Sequence, residues 1–234
     1  MSNVEDIKSE IGTILNGEWI TRDGAQVPAP EDVQLGNNAV NLLGTVLYAD
    51  LADSTGLVNS YKNWFAAEVY KCFLRSACRV IQNNHGTITA FDGDRVMAVF
   101  IGETQNTDAV ESALEINHVV TKMINPMVHE RYSDAKVDIS HGVGIDRSSL
   151  FIARTGVRGS NDLVWVGRAA NYAAKLSTFR EAAYSTWITS EVYDNMRDSV
   201  KFSKGVKSSP SMWNKRTWKA REIDVYCSGW MRSP

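Results

Sequence analysis

The chain has 234 residues, 44% hydrophobic and 22% charged, with a net charge of −2, which is enough for one well-filled domain and an appendage. The charge balance argues against a dedicated nucleic-acid binder, which carries a basic excess, and no apolar run reaches the ~20 residues that a membrane span needs. Three cysteines without a CxxC spacing (Cys72, Cys78, Cys227) and four scattered histidines (His85, His118, His129, His141) propose neither a disulfide framework nor a metal site. With an N-terminus that lacks a signal-peptide core, they predict a cytoplasmic protein.

Residues 1–38 read as an N-terminal extension. It has an amphipathic helix over 4–15, with Val4, Ile7, Ile11 and Leu15 on one face, and a loop over 22–38 containing Pro28 and Pro30. The main domain is expected over 39–234. Thr45–Asp50 is a β-rich run that ends in a polar turn, Asp53-Ser54-Thr55. Trp64–Ile81 has helical spacing, with Phe65, Val69, Phe73, Ala77 and Val80 on its buried side. Gly86 breaks it. Thr87–Phe91 and Arg95–Phe100 read as strands joined by a hairpin at Asp92-Gly93. A second helix is expected over Asp108–Met127, and a half-buried strand over Val137–Ile145, where apolar residues alternate. Leu163–Val166 is a further strand and Gly167–Phe179 a third helix; Trp187–Thr189 and Ile223–Tyr226 are late strands. This order predicts an α+β, ferredoxin-like fold with helices packed on a mainly antiparallel sheet.

Two carboxylates stand at strand ends: Asp50 where an apolar strand runs out, and Asp94 directly after Gly93. On neighbouring strands they would converge at one end of the sheet. There they could hold two divalent ions about 4 Å apart, an arrangement suited to in-line displacement at phosphorus. For either Asp alone, a turn former is the simpler reading.

Four blocks of sequence surround them. They are Leu47-Tyr48-Ala49-Asp50 with its loop to Thr55; Gly93-Asp94 opening the strand to Phe100; Val143-Gly144-Ile145; and Gly167 to Leu176 with Asn171 and Lys175 inside it. In this order they resemble the class III adenylate and guanylate cyclases over about residues 45–180. The resemblance implies that Asp50, Asp94 and the Leu51 carbonyl bind two Mn²⁺ or Mg²⁺ ions. It implies that Ser54 and Thr55 cradle phosphate, that Asn171 orients the ribose and that Lys175 meets the α-phosphate where relatives have Arg. It also implies a homodimer, with each active site shared between two chains. Asp53 departs from the pattern, since many relatives have Gly there. Lys201–Arg221 holds seven Lys or Arg and no acidic residue, and Lys215 or Lys219 is the candidate for the family's triphosphate lysine.

At the positions where purine cyclases read the base, this chain has Ala90 and Val164, neither of which can hydrogen-bond a purine edge. Tyr48 takes the place of the aromatic that packs on the base, and Trp165 is a second lining candidate. Loss of purine readers beside intact metal residues resembles the pyrimidine cyclases of bacterial Pycsar anti-phage systems. That likeness implies a cytoplasmic enzyme making a cyclic pyrimidine messenger for a separate effector, without nucleic-acid or membrane binding. UTP is favoured over CTP, because Tyr48 or an arginine can serve uracil's carbonyls. The alternatives are a cytidylate or purine cyclase, a catalytically dead nucleotide sensor with the cyclase fold, and a polymerase-palm relative.

Overall fold

The computed structural model describes residues 3–135, 137–157 and 160–234. In chain order the helices are α1 (Asn3–Asn16), α2 (Ser54–Ser60), α3 (Asn63–Asn83), α4 (Gln105–His118), α5 (Asn125–Arg131), α6 (Arg168–Leu176), α7 (Ser190–Asn195) and α8 (Asp198–Lys201). The strands are β1 (Ile20–Asp23), β2 (Asn38–Leu51), β3 (Thr87–Asp92), β4 (Arg95–Phe100), β5 (His141–Val157), β6 (Ser160–Val166), β7 (Thr186–Thr189), β8 (Asn214–Trp218) and β9 (Ile223–Ser228). Two compact units emerge. One joins the residues up to Leu43 with Ser149–Gly167; the other joins Gly44–Ser148 with Arg168–Pro234.

In the smaller unit, α1 is amphipathic as its spacing predicts, yet none of its residues is buried. The Asn37 amide ties its end down by donating to the carbonyls of Ile14 and Gly17 at 2.9 and 2.7 Å. The stretch expected as loop over 22–38 begins and ends in strand, because β1 pairs in parallel with the first residues of β2, from Ile20↔Asn38 to Asp23↔Asn41. A hairpin completes the unit: β5 pairs antiparallel with β6 from Phe151↔Val166 onward. Trp19 packs edge-on against Phe151, with ring centroids 4.9 Å apart.

The larger unit is built on strands in the order β3-β4-β2-β5-β7-β9-β8. Most of the recorded pairs are antiparallel and β5–β7 is parallel, so the α+β fold expected from the sequence is the one observed. Side chains alternate between faces of a strand. Leu47, Ala49, Leu51, Val96, Ala98, Val143, Ile145 and Ile188 share a core with Phe65, Val69, Phe73, Ala77 and Val80 of α3 and with α4. On the opposite face Leu176 of α6 packs with Trp187, Trp218, Val225 and Cys227.

Several expected elements have different extents: the third helix, expected over Gly167–Phe179, runs over Arg168–Leu176, and the strand expected from Leu163 begins at Ser160. The second helix starts at Gln105, passes through a π-helical stretch at Val119–Ile124 and ends at Arg131. Pro126 has no N–H to continue the α ladder, and the Asn125 N–H before it reaches the Val120 carbonyl five residues back. The strand expected from Val137 begins only at His141. The backbone of Ile139 is satisfied instead by the Asn125 side chain, which accepts from Ile139 N–H at 2.8 Å and donates to its carbonyl at 2.9 Å.

Candidate active site

Strand register brings the two candidate carboxylates together. Asp50 lies opposite Arg95 across β2–β4, and the Leu51 N–H reaches the Asp94 carbonyl at 3.4 Å. Gly93 adopts φ +62° in the turn that presents Asp94, a conformation glycine takes without steric cost. The register also sets two rows of side chains on the face opposite the α3–α4 core: Tyr48–Met97–Ala90, and Asp50–Arg95–Asp92. Tyr48 and Ala90, two candidates for the base wall, therefore share one face with Asp50.

Asp50 is surrounded by cations. Arg180 donates to its Oδ2 at 2.9 Å, and Arg95 Nε lies 3.9 Å from its Oδ1. Burial pushes the Asp50 carboxyl above its ordinary range; Arg180 and Arg95 oppose this, and the Asp94 charge reinforces it. The set of two carboxylates and a backbone carbonyl suits hard divalent cations. Among the described residues no three His, Cys, Asp or Glu gather into a metal cluster.

Beyond β2, Asp53 sits at φ 52°, ψ 38° and accepts from the Gly56 N–H at 3.2 Å, capping α2. This left-handed backbone is one that glycine adopts without steric cost. The carboxylate that would repel a triphosphate is thus bound to its own helix. A Cβ on Gly56 would come within 2.3 Å of the Asp53 carboxylate.

The other half of the motif set lies on α6. Gly144 lets this helix touch β5: a Cβ there would meet the Ala173 carbonyl at 2.1 Å. A Cβ on Gly142 would meet the Ser177 carbonyl at 2.2 Å and Arg180 Nη1 at 2.5 Å, so this glycine makes room for the guanidinium that reaches Asp50. Arg168 anchors the start of α6 to the fully buried Asp146 through bonds of 2.9 and 3.2 Å.

No protein-family model matches the chain. It is 47% identical over 230 residues to a uridylate cyclase of Xanthomonas perforans, covering 96% of this chain and 97% of that one. It is 44% identical over 232 residues to a uridylate cyclase of Burkholderia cepacia, covering 98% of each. The chain belongs to the uridylate cyclase family. It is a nucleotide cyclase with the class III fold. A bacterial light-regulated adenylyl cyclase superposes with a TM-score of 0.68 at 18% identity, over 87% of this chain and 55% of that one. An adenylyl cyclase from P. aeruginosa gives 0.64 at 18% identity, over 81% and 95%.

Within this cyclase, Asn171 and Lys175 are exposed, and the buried residues of α6 are Ala169, Ala170, Ala173 and Leu176. The shared outward face expected from their four-residue spacing is present. Lys215 sits on β8, four strands from β2, about 19 Å at the usual strand spacing. Its ammonium is bound to Asp224 at 2.6 Å, which raises its pKa. Lys219 is exposed in the turn after β8. Val164 and Trp165 are neighbours on β6 and emerge on opposite faces, so only one of them can face a given pocket. Sequence reading missed Arg95 and Arg180. Strand alternation could have placed Arg95 with Asp50, but nothing local signals that Arg180 returns to β2 from 130 residues away.

Proposed function

We propose that this enzyme converts UTP to 3′,5′-cyclic UMP and pyrophosphate as a homodimer. The observation that carries this reading is the convergence of Asp50 and Asp94 at one sheet end, in a chain of the uridylate cyclase family. Asp50, Asp94 and the Leu51 carbonyl would hold two Mn²⁺ or Mg²⁺ ions, which when bound lower the pKa of the ribose 3′-hydroxyl and neutralise the triphosphate. The 3′-oxygen attacks the α-phosphorus as its proton leaves, and the bond to the bridging oxygen of pyrophosphate breaks.

The chain's own groups have distinct tasks. The amides of Ser54 and Thr55 meet phosphate oxygens, while Asp53 occupies the Gly56 amide. Asn171 orients the ribose. Lys175 neutralises charge at the α-phosphate, without the bidentate fork of an arginine. Both are exposed on α6, and Lys215 lies far along the sheet from Asp50, which supports their acting on the site of a second chain. Tyr48 and Ala90 wall the base. Neither Ala90 nor Val164 can pair with a purine edge. Among the described residues no helix is long and apolar enough to cross a membrane, and we place the enzyme in the cytoplasm. By family resemblance its product is a messenger read by a separate effector in anti-phage defence.

Incubation with UTP, CTP, ATP and GTP at equal concentration and Mn²⁺, with products identified by mass, tests this reading. Cyclic UMP should dominate. A predominance of cyclic AMP or cyclic GMP would leave a class III cyclase and remove the pyrimidine assignment.

A further inference from the structure

Uracil and cytosine share the 2-carbonyl and differ at positions 3 and 4. Uracil offers an acceptor oxygen at position 4 and an N3–H; cytosine offers an amino donor and a bare N3. A site that prefers UTP to CTP therefore gains most from a group near position 4 that donates and cannot accept. A hydroxyl does both, so it can turn to suit either base; a guanidinium only donates.

The two rows beside the catalytic end contain Tyr48, Met97, Ala90, Asp50, Arg95 and Asp92. Arg95 alone among these six is a pure donor. Its placement is specific. The guanidinium carbon stands 5.7 Å from the centre of the Tyr48 ring, and Asp92 Oδ2 fixes Nη2 at 3.1 Å. Arg95 Nε is buried, and beyond the Asp50 carboxylate oxygen 3.9 Å away, too far for a hydrogen bond, no hydrogen-bond partner is found for it among the described residues. A buried donor without a partner is costly unless something else supplies an acceptor. The position fits a nucleotide's dimensions too. Asp50 and Tyr48 lie two residues apart on one strand face, about 7 Å, and Arg95 spans from the row of the carboxylate to the aromatic ring.

We infer that Arg95 is the specificity-determining residue of this enzyme, donating to the 4-carbonyl of uracil and excluding the 4-amino group of cytosine. The inference rests on the uridylate cyclase reading.

The test compares kcat/KM for UTP and CTP in the wild type, Arg95→Met and Arg95→Lys, with thermal melts to check folding. Arg95→Met keeps the apolar stem and removes every donor. It should lower the UTP:CTP preference by at least ~10-fold, in the range of discrimination lost when a polar reading contact becomes a purely steric one. Arg95→Lys, still a donor, should retain part of the preference. Analogues probe the atom directly. 4-Thio-UTP, whose sulfur is a weaker acceptor, should be a poorer substrate than 2-thio-UTP for the wild type, and the two should be equivalent for Arg95→Met. If Arg95 acts only on Asp50 or the phosphates, UTP and CTP will fall together with the ratio unchanged, and the inference is overturned. Should Arg95→Met fail to fold, equal wild-type rates with the two thio analogues would overturn it. Absence of cyclic UMP from the wild type is a separate failure, that of the uridylate cyclase reading itself.

Discussion

The two faces of β2 and β4 obey different rules although they share one backbone. Towards α3 and α4, Leu47, Ala49, Leu51, Val96 and Ala98 are at most 3% exposed and entirely apolar. On the other face the same strands carry Tyr48, Asp50 and Arg95. There charge is balanced by ion pairs and hydrogen bonds, among them Arg180–Asp50 and Arg95–Asp92. The first face is stabilised by area removed from water, which is non-directional and forgiving of which apolar residue supplies it. The second depends on atoms at set distances. A single strand can serve both because its period of two separates them. Substitutions on the first face should therefore cost stability, and those at the charged end of the second, Asp50 and Arg95, activity.

The largest expected effect is on the second face. Asp50→Ala or Asp94→Ala should reduce cyclic UMP formation by at least ~10²–10³-fold, the range seen when a preorganised charge is removed from a reacting centre. The thermal midpoint should change little. Asn171→Ala should be similarly inactive. Mixing it with Asp50→Ala, after verified subunit exchange, should restore activity, because one of the two sites in each heterodimer then carries every functional residue. No recovery would rule out a site shared between chains. Near-full turnover by both Asp variants at saturating Mn²⁺ would remove the carboxylate pair from the mechanism.

Phe73→Ala examines the first face. Phe73 is 1% exposed in the α3 core, and truncation should lower unfolding free energy by about 3–5 kcal/mol. Measured well below its melting point, kcat should stay within about twofold of the wild type. A large kcat loss in a folded variant would mean that the faces are mechanically coupled and that the division drawn above is too simple.

The sequence reveals these faces unequally. The apolar one is legible by periodicity: Phe65, Val69, Phe73, Ala77 and Val80 are all buried as their spacing predicts. Asp50 and Asp94 are legible because each ends or opens an apolar run. Arg180 is not, since its partner is distant in sequence and the space for it is made by Gly142, whose role appears only when a Cβ is placed there. The β5–β6 hairpin was half visible. Leu163–Val166 reads as a strand, but Ser149–Val157 is broken by Ala153, Arg154, Thr155 and Gly156, and its pairing with β6 decides its conformation. The late start of β5 escaped for a related reason: the Asn125 side chain substitutes for a strand neighbour at Ile139.

His141 gives the comparison its finest test, because it is a titratable residue on the apolar face. It has the strand parity of Val143 and Ile145, lies against Phe73 with centroids 6.0 Å apart and is 7% exposed. No hydrogen-bond partner is found for its Nε2 among the described residues. Burial, assisted by the Arg180 charge, lowers its pKa to about 4, whereas an unfolded chain titrates near 6.5. Between these values the unfolded state binds a proton that the folded state refuses, so stability rises with pH across the window. The full contribution is present above pH 6.5 and is lost progressively as pH falls towards 4. From pH 7 to pH 5 the expected loss is about 2 kcal/mol. The raised carboxyls of Asp50 and Glu115 act in the opposite sense, so the informative quantity is the difference between wild type and His141→Phe, which cannot ionise and keeps a ring against Phe73. Urea unfolding at pH 7 and pH 5 should show a steeper acid loss in the wild type. Equal losses in the two proteins would mean that His141 takes up its proton inside the fold, and that the helix-covered face tolerates a charge its composition argues against.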